Sequence, residues 1–99
     1  MISIEDLRRE IPEVCKRYRI AYVDAYGSIA RNEQNEESDI DLIIEFDEPR
    51  RESISKRFFG FIHALEDHYN RKVDVLTEKS LKNPYLIKRI NKDRIRVYG

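Results

Sequence analysis

The stretch Asp39-Ile40-Asp41-Leu42-Ile43-Ile44-Glu45-Phe46 constrains the fold more than any other part of the chain. It alternates polar and apolar residues at its start and is nearly continuous in apolar character afterwards, the pattern of a β-strand. In a strand, alternate side chains share a face, so Asp39 and Asp41 project together while Ile40 and Leu42 face the other way. Two adjacent carboxylates repel one another unless a cation or hydrogen bonds compensate. The segment therefore carries a fold signal and a chemical one together.

The remaining elements fall into place around it. Ser3 followed by Glu5-Asp6 opens a helical pattern, with Ile4, Leu7, Ile11, Val14 and Cys15 at helix spacing. Pro12 predicts a split or kink near Glu10. Ile20 to Tyr26 is rich in aromatic and β-branched residues and reads as a strand leading into Gly27-Ser28. Ser28 to Asn32 has room for one helical turn, and Glu33 to Ser38 is a polar connector. Pro49 with Arg50-Arg51 ends the Asp39–Phe46 strand. Ser53 begins a long helix whose Phe58, Phe59, Phe61, Ile62, Leu65 and Tyr69 form a wide apolar stripe, read as core. Lys72 to Leu76 is a short strand and Glu78 to Leu81 a turn of helix. Pro84 opens a last helix to about Asn91, and Ile95 to Tyr98 closes as a strand. This order predicts an α/β (α+β) fold, a small mixed β-sheet flanked by helices. With 99 residues and no repeat or linker, residues 1–99 are expected to form a single domain.

Composition narrows the function classes. A chain 40% hydrophobic and 38% charged fits a soluble globular protein. No apolar run approaches the roughly 20 residues needed to span a bilayer. The N-terminus is acidic where a signal peptide is basic, and Cys15 is the only cysteine, so no internal disulfide can form. A cytoplasmic protein without membrane association is expected. Zero net charge argues against direct nucleic-acid binding by bulk attraction. Residues 1–49 nevertheless carry 6 Lys/Arg against 13 Asp/Glu, a balance of −7, and residues 50–99 carry 13 against 6, a balance of +7. Such asymmetry fits either a metal-attracting face beside a phosphate-attracting one or charges spread over solvated faces, and counts alone favour the second.

Asp74 sits between Val73 and Val75 in another expected strand. If that strand neighbours Asp39–Phe46, it adds a third carboxylate to one face. A hard divalent cation such as Mg²⁺ is the economical compensation, because it prefers oxygen ligands and keeps positions open for phosphate. Two such ions roughly 3.5–4 Å apart can clamp the attacking and leaving oxygens of an in-line displacement. Gly27-Ser28 supplies a complementary half: a strand, a glycine, then a serine opening a turn offers free backbone N–H groups and a hydroxyl to an anion. Arg31 can return over phosphates or an acidic neighbour. Each piece alone is weak, since a Gly-Ser dipeptide is usually only a turn. Their conjunction at this spacing is not.

The stretch Gly27-Ser28-Ile29-Ala30-Arg31 through Ser38-Asp39-Ile40-Asp41-Leu42 resembles the signature of the polymerase-β-like nucleotidyltransferase superfamily. More closely, it is similar to the minimal nucleotidyltransferases encoded beside HEPN-domain toxins as their antitoxins. The resemblance covers nearly the whole chain, including the strand with Asp74 and the ending Ile95-Arg96-Val97-Tyr98-Gly99. It implies the minimal nucleotidyltransferase fold, ATP or another NTP as substrate, and two Mg²⁺ ions. It further implies that Gly27, Ser28, Arg31 and Ser38 bind the nucleotide, and that Asp39, Asp41 and Asp74 are the metal-binding catalytic set. Asp74 would hold the metal that activates the acceptor hydroxyl. The acceptor implied is a tyrosine hydroxyl on a HEPN toxin, which would emerge AMPylated and inactive. The chain departs from the family at Asn32, where glycine is usual; asparagine tolerates a left-handed backbone better than most residues, so the loop is expected to persist.

Other residues carry blander readings. Glu45 shares a strand face with Asp39 and Asp41, and Asp24 lies on the preceding strand; solvation or local pairing is the expectation for both. His63 and His68, five apart on a helix, are poorly spaced as two ligands on one face. The six tyrosines are expected to edge the core. The basic stretch Lys88-Arg89, Lys92, Arg94 and Arg96 can grip phosphate or an acidic partner, with a solvated helix end as the default. Two further functions remain open: an antitoxin acting by binding alone, and a small-molecule nucleotidyltransferase completed by a partner chain. The sequence also leaves a homo-oligomer open.

Overall fold

The computed structural model describes residues 2–33, 38–47 and 54–99. Most of the polar connector, the Pro49-Arg50-Arg51 strand end and the Ser53 helix start lie outside them. In chain order the elements are α1 (Ile4–Glu10), α2 (Pro12–Arg17), β1 (Ile20–Tyr26), β2 (Ile40–Phe46), α3 (Ile54–Tyr69), β3 (Val73–Thr77), α4 (Pro84–Asp93) and β4 (Ile95–Tyr98). A single 3₁₀ turn, Glu78–Ser80, follows β3.

The helix ends follow local chemistry. Ser3 Oγ accepts from the Asp6 N–H at 3.1 Å while the Asp6 carboxylate accepts from the Ser3 N–H at 3.0 Å, a reciprocal cap that starts α1. Pro12 divides the first helical pattern into α1 and α2, as its missing N–H and ring require. The Asn83 side chain accepts from the Tyr85 N–H at 2.9 Å, and Pro84 occupies the first position of α4, where no donor is lost.

The four strands form a mixed sheet in the order β3-β2-β1-β4. β1 is antiparallel to β2 and β4, and β2 is parallel to β3. The parallel pair is joined by α3, because parallel neighbours need a crossover long enough to return the chain to the same end. One sheet face carries Val23, Ala25, Ile40, Leu42, Ile44, Val73, Val75 and Val97 into a core with Leu7, Ile11, Cys15, Phe61 and Leu65. Burial of each large aliphatic side chain contributes about 1.5–3 kcal/mol. Ile20 reaches this core although its parity differs from that of Val23. The β1–β2 register shifts between Ile20 and Tyr22, so one extra residue on β1 flips the alternation.

Arg57 on α3 is buried and bonds three backbone carbonyls. Nε donates to Tyr18 O at 3.0 Å, and Nη2 to Arg19 O and Asp47 O at 2.7 Å each. The guanidinium also stands 4.9 Å from the Phe46 ring centroid, so a single side chain ties α3 to the chain entering β1 and leaving β2. The core and this tie leave the opposite sheet face for the polar side chains.

Candidate active site

Alternation places Tyr22, Asp24 and Tyr26 of β1, Asp41, Ile43 and Glu45 of β2, and Asp74 and Leu76 of β3 on that opposite face. The β2–β3 register sets Asp41 directly across from Asp74, and the β1–β2 register sets Asp41 across from Tyr26. Side chains directly opposite on adjacent strands lie within about 5.5 Å at Cβ. Asp39 immediately precedes β2, where the Ile40 N–H donates to Lys72 O at 3.1 Å and fixes the strand start. The three aspartates expected to act together are thus brought to one end of β2 and β3.

Their mutual field is visible in protonation. Burial first, then the charges of Asp74 and Asp39, push the Asp41 carboxyl up to about 6, with Lys72 opposing. Lys72 Nζ stands 3.6 Å from the Asp74 carboxylate, a pair at the rim with both side chains well exposed. Burial, followed by the same Asp41 and Asp74 charges, pushes the Tyr26 hydroxyl up to about 12.

The other half of the site is the turn after β1. Gly27 has φ +73°, a left-handed conformation, and a Cβ there would stand 3.0 Å from Asp41 Oδ2. The glycine is needed twice, for its backbone angle and for the carboxylate beside it. The turn closes through Arg31 N–H to Gly27 O at 3.2 Å, Asn32 N–H to Ile29 O at 3.3 Å and Glu33 N–H to Ser28 O at 2.9 Å. Asn32 takes φ +59°, the left-handed angle expected where the family pattern has glycine. Among the described residues the Ser28, Ile29 and Ala30 N–H groups donate to no protein acceptor, which leaves them available to an anion.

A cavity of about 350 Å³ opens between this turn and α4, lined by Tyr26, Gly27, Ser28, Arg31 and Asp41 on one side and by Leu86, Arg89, Ile90 and Asp93 on the other. Arg31 donates to Asp93 at 2.6 Å and to Glu33 at 3.1 Å, so it meets the acidic neighbours allowed for it in the sequence. Ser38 lies just before Asp39 and is half-buried. Arg89 was legible only as part of a basic stretch; its position on the cavity wall depends on how α4 packs.

Arg94 and Arg96 are not a solvated helix end. Arg94 Nε donates to the buried Asp24 at 2.5 Å, Arg94 also pairs with Glu78, and Arg96 Nε pairs with Asp24. Tyr22 donates to Glu78 at 2.7 Å, and Arg96 lies 4.2 Å from the Tyr22 ring centroid. Asp24 is locally paired, as expected, and its partners anchor α4 and β4 to β1. His68 meets Glu10 at 3.3 Å on the far side of the molecule and His63 is exposed, so neither belongs to this site.

Among the described residues no group of three or more His, Cys, Asp and Glu side chains forms a ready-made metal cage. The donors nevertheless fit a hard cation that keeps most of its positions for water and phosphate, since Mg²⁺ is commonly held by one or two carboxylates plus the substrate. Burial first, and then the neighbouring charges of Asp74 and Asp39, raise the Asp41 carboxyl, a field that a cation held there would offset. Among the described residues, no helix is long and apolar enough to cross a membrane.

A glycine turn with unengaged backbone N–H groups beside paired carboxylates, on a mixed sheet with a parallel β-α-β unit, has the donors and charges that phosphoryl or nucleotidyl transfer requires. The chain belongs to the nucleotidyltransferase domain family, whose model matches residues 7–97. It is 41% identical over 96 residues to MJ1379 of Methanocaldococcus jannaschii, covering 96% of this chain and 95% of that one. It is 38% identical over 96 residues to MJ0128 of the same organism, with the same coverage. Both are named “Putative protein adenylyltransferase”. A solved structure described with the same qualifier as a minimal nucleotidyltransferase superposes with a TM-score of 0.74, at 30% identity and 95% coverage of each chain. A chain from the complex of tri-AMPylated Shewanella oneidensis HEPN toxin with its MNT antitoxin shares the fold. There the TM-score is 0.65 and the identity 13%, over 97% of this chain and 72% of that one. The enzyme class is a nucleotidyltransferase with the minimal fold of that family.

Proposed function

We propose that this domain transfers AMP from ATP to a hydroxyl on a partner protein, a HEPN toxin, with Mg²⁺ as cofactor, and that it acts in the cytoplasm. The observation that carries this reading is the Asp41–Asp74 pairing next to the left-handed Gly27, which puts carboxylates against a phosphate turn. The naming of relatives as protein adenylyltransferases, and the AMPylated toxin in a complex containing a chain of this fold, support the choice of acceptor. A solved toxin–antitoxin structure with AMP-PNP, TM-score 0.71 and 16% identity, supports an adenine nucleotide.

The turn N–H groups and Ser28 hold the triphosphate, with Arg31 and Ser38 beside them. Asp39, Asp41 and Asp74 would hold Mg²⁺, which when bound neutralises phosphate charge and lowers the cost of deprotonating the acceptor. The acceptor oxygen forms a bond to the α-phosphorus as the bond to pyrophosphate breaks, and its proton passes to Asp74, whose carboxylate is open to solvent on one side. Positioning and charge neutralisation supply most of the rate.

Incubation of the protein and the product of its gene neighbour with Mg²⁺ and α-labelled ATP tests the reading. Label should appear on the partner and vanish with Asp39→Asn or Asp41→Asn. Neutralisation of the partner by the double variant, with no label transferred at any stage, would sink it in favour of binding alone.

A further inference from the structure

We propose that Arg89 of α4 binds the phosphates that leave as pyrophosphate, an inference that rests on the nucleotidyl-transfer reading above. In an in-line displacement the acceptor and the leaving group lie on opposite sides of the phosphorus. Asp74 flanks Asp41 on the β3 side, whereas the cavity opens from Asp41 on the β1 side, toward Gly27, Ser28 and α4. If the acceptor approaches past Asp74, the leaving phosphates point into this cavity.

Two guanidinium groups line it. Arg31 is already engaged by Asp93 and Glu33. Arg89 donates to no carboxylate or carbonyl among the described residues, although it stands in the same cavity as Ser28. Leu86, Arg89, Ile90 and Asp93 fall at i, i+3, i+4 and i+7, a single stripe of α4 facing the turn. The Arg31–Asp93 ion pair at 2.6 Å and the Arg94 bonds to Asp24 and Glu78 hold the C-terminal end of that stripe against β1. Arg89 is therefore a free, forked donor on a fixed helix, opposite a turn whose N–H groups also await an anion. Planar guanidinium donors match phosphate oxygens two at a time.

The test is calorimetric binding of two probes, each with Mg²⁺: α,β-methylene-ATP, which cannot be cleaved at the reacting bond, and AMP, which lacks the leaving phosphates. Arg89→Gln is expected to weaken α,β-methylene-ATP about tenfold and AMP less than about twofold, with Arg89→Lys in between. Arg89 is exposed, so the variant should melt with wild type, and a melt confirms that it folds. Equal losses for both probes, or no loss for either, would overturn the assignment to the leaving phosphates. Failure of wild type to bind α,β-methylene-ATP would instead overturn the nucleotidyl-transfer reading, and this inference with it.

Discussion

Asp41 on β2 stands directly opposite Asp74 on the parallel strand β3, so two carboxylates 33 positions apart in the chain share one patch of sheet. The arrangement costs stability in the free protein, because burial and the charges of Asp74 and Asp39 disfavour ionised Asp41.

Asp41→Asn should therefore separate stability from activity. The Asp41 carboxyl rises from its usual value to about 6 on folding, so between the two values the native state holds a proton that the unfolded chain has lost. Stability from this group is intact below the unfolded value, falls as pH rises through that window, and stays low above it. Thermal melts without metal should show Asp41→Asn more stable than wild type by about 1 kcal/mol at about pH 8 and indistinguishable at about pH 4, after allowance for solvent screening at a half-open site. Added Mg²⁺ should raise the wild-type midpoint at the higher pH and leave the variant's nearly unchanged. Transfer activity should fall at least about a hundredfold. A variant less stable than wild type at every pH would refute this account of the site.

Gly27→Ala meets both a left-handed φ and the Asp41 carboxylate, where Asn32→Gly meets neither obstacle. The first substitution should cost about 1–2 kcal/mol in urea denaturation and displace the carboxylate; the second should change stability by less than about 0.5 kcal/mol. Equal behaviour of the two would show that the Gly27 conformation is not constrained.

Asp24→Ala removes the shared acceptor of Arg94 and Arg96 and leaves cations partly buried without it. A loss of about 3 kcal/mol is expected by chemical denaturation. Because Arg94 also holds Glu78 and is the chief cause of that carboxyl lying below its usual value, Asp24→Ala should still lose the stability of this pair as pH falls through the Glu78 range, whereas Arg94→Ala should show no such loss. Wild-type stability in Asp24→Ala would mean that α4 and β4 dock without the network.

Cys15 lies fully buried in the core, and burial pushes its thiol up to about 12. Iodoacetamide at about pH 8 should leave it unmodified in the native protein and alkylate it at a rate set by global opening. Rapid alkylation without denaturant would contradict the packing of α2 on the sheet.

Much of the chain was legible because its signals are local. The alternation in Asp39–Phe46, the apolar stripe of Phe61 and Leu65, the break at Pro12 and the start at Pro84 each depend on a few neighbours, and each element formed where its period placed it. Boundaries moved by a residue or two: Asp39 precedes β2 rather than opening it, and α4 continues to Asp93. The turn at Gly27 and the left-handed Asn32 were likewise properties of short sequence.

What the sequence by itself determined is thus the set of elements and the residues suited to phosphate and metal. Only the tertiary structure decided which of those residues meet. The pairing of Asp41 with Asp74 depends on a crossover through α3, and Arg94 reaches Asp24 across 70 positions. Arg57, buried without any apolar signal, became a bond donor to three carbonyls only when α3 packed beside α2 and β3. Register and helix docking are settled by the summed burial of many distant side chains, and no local window of sequence contains that sum.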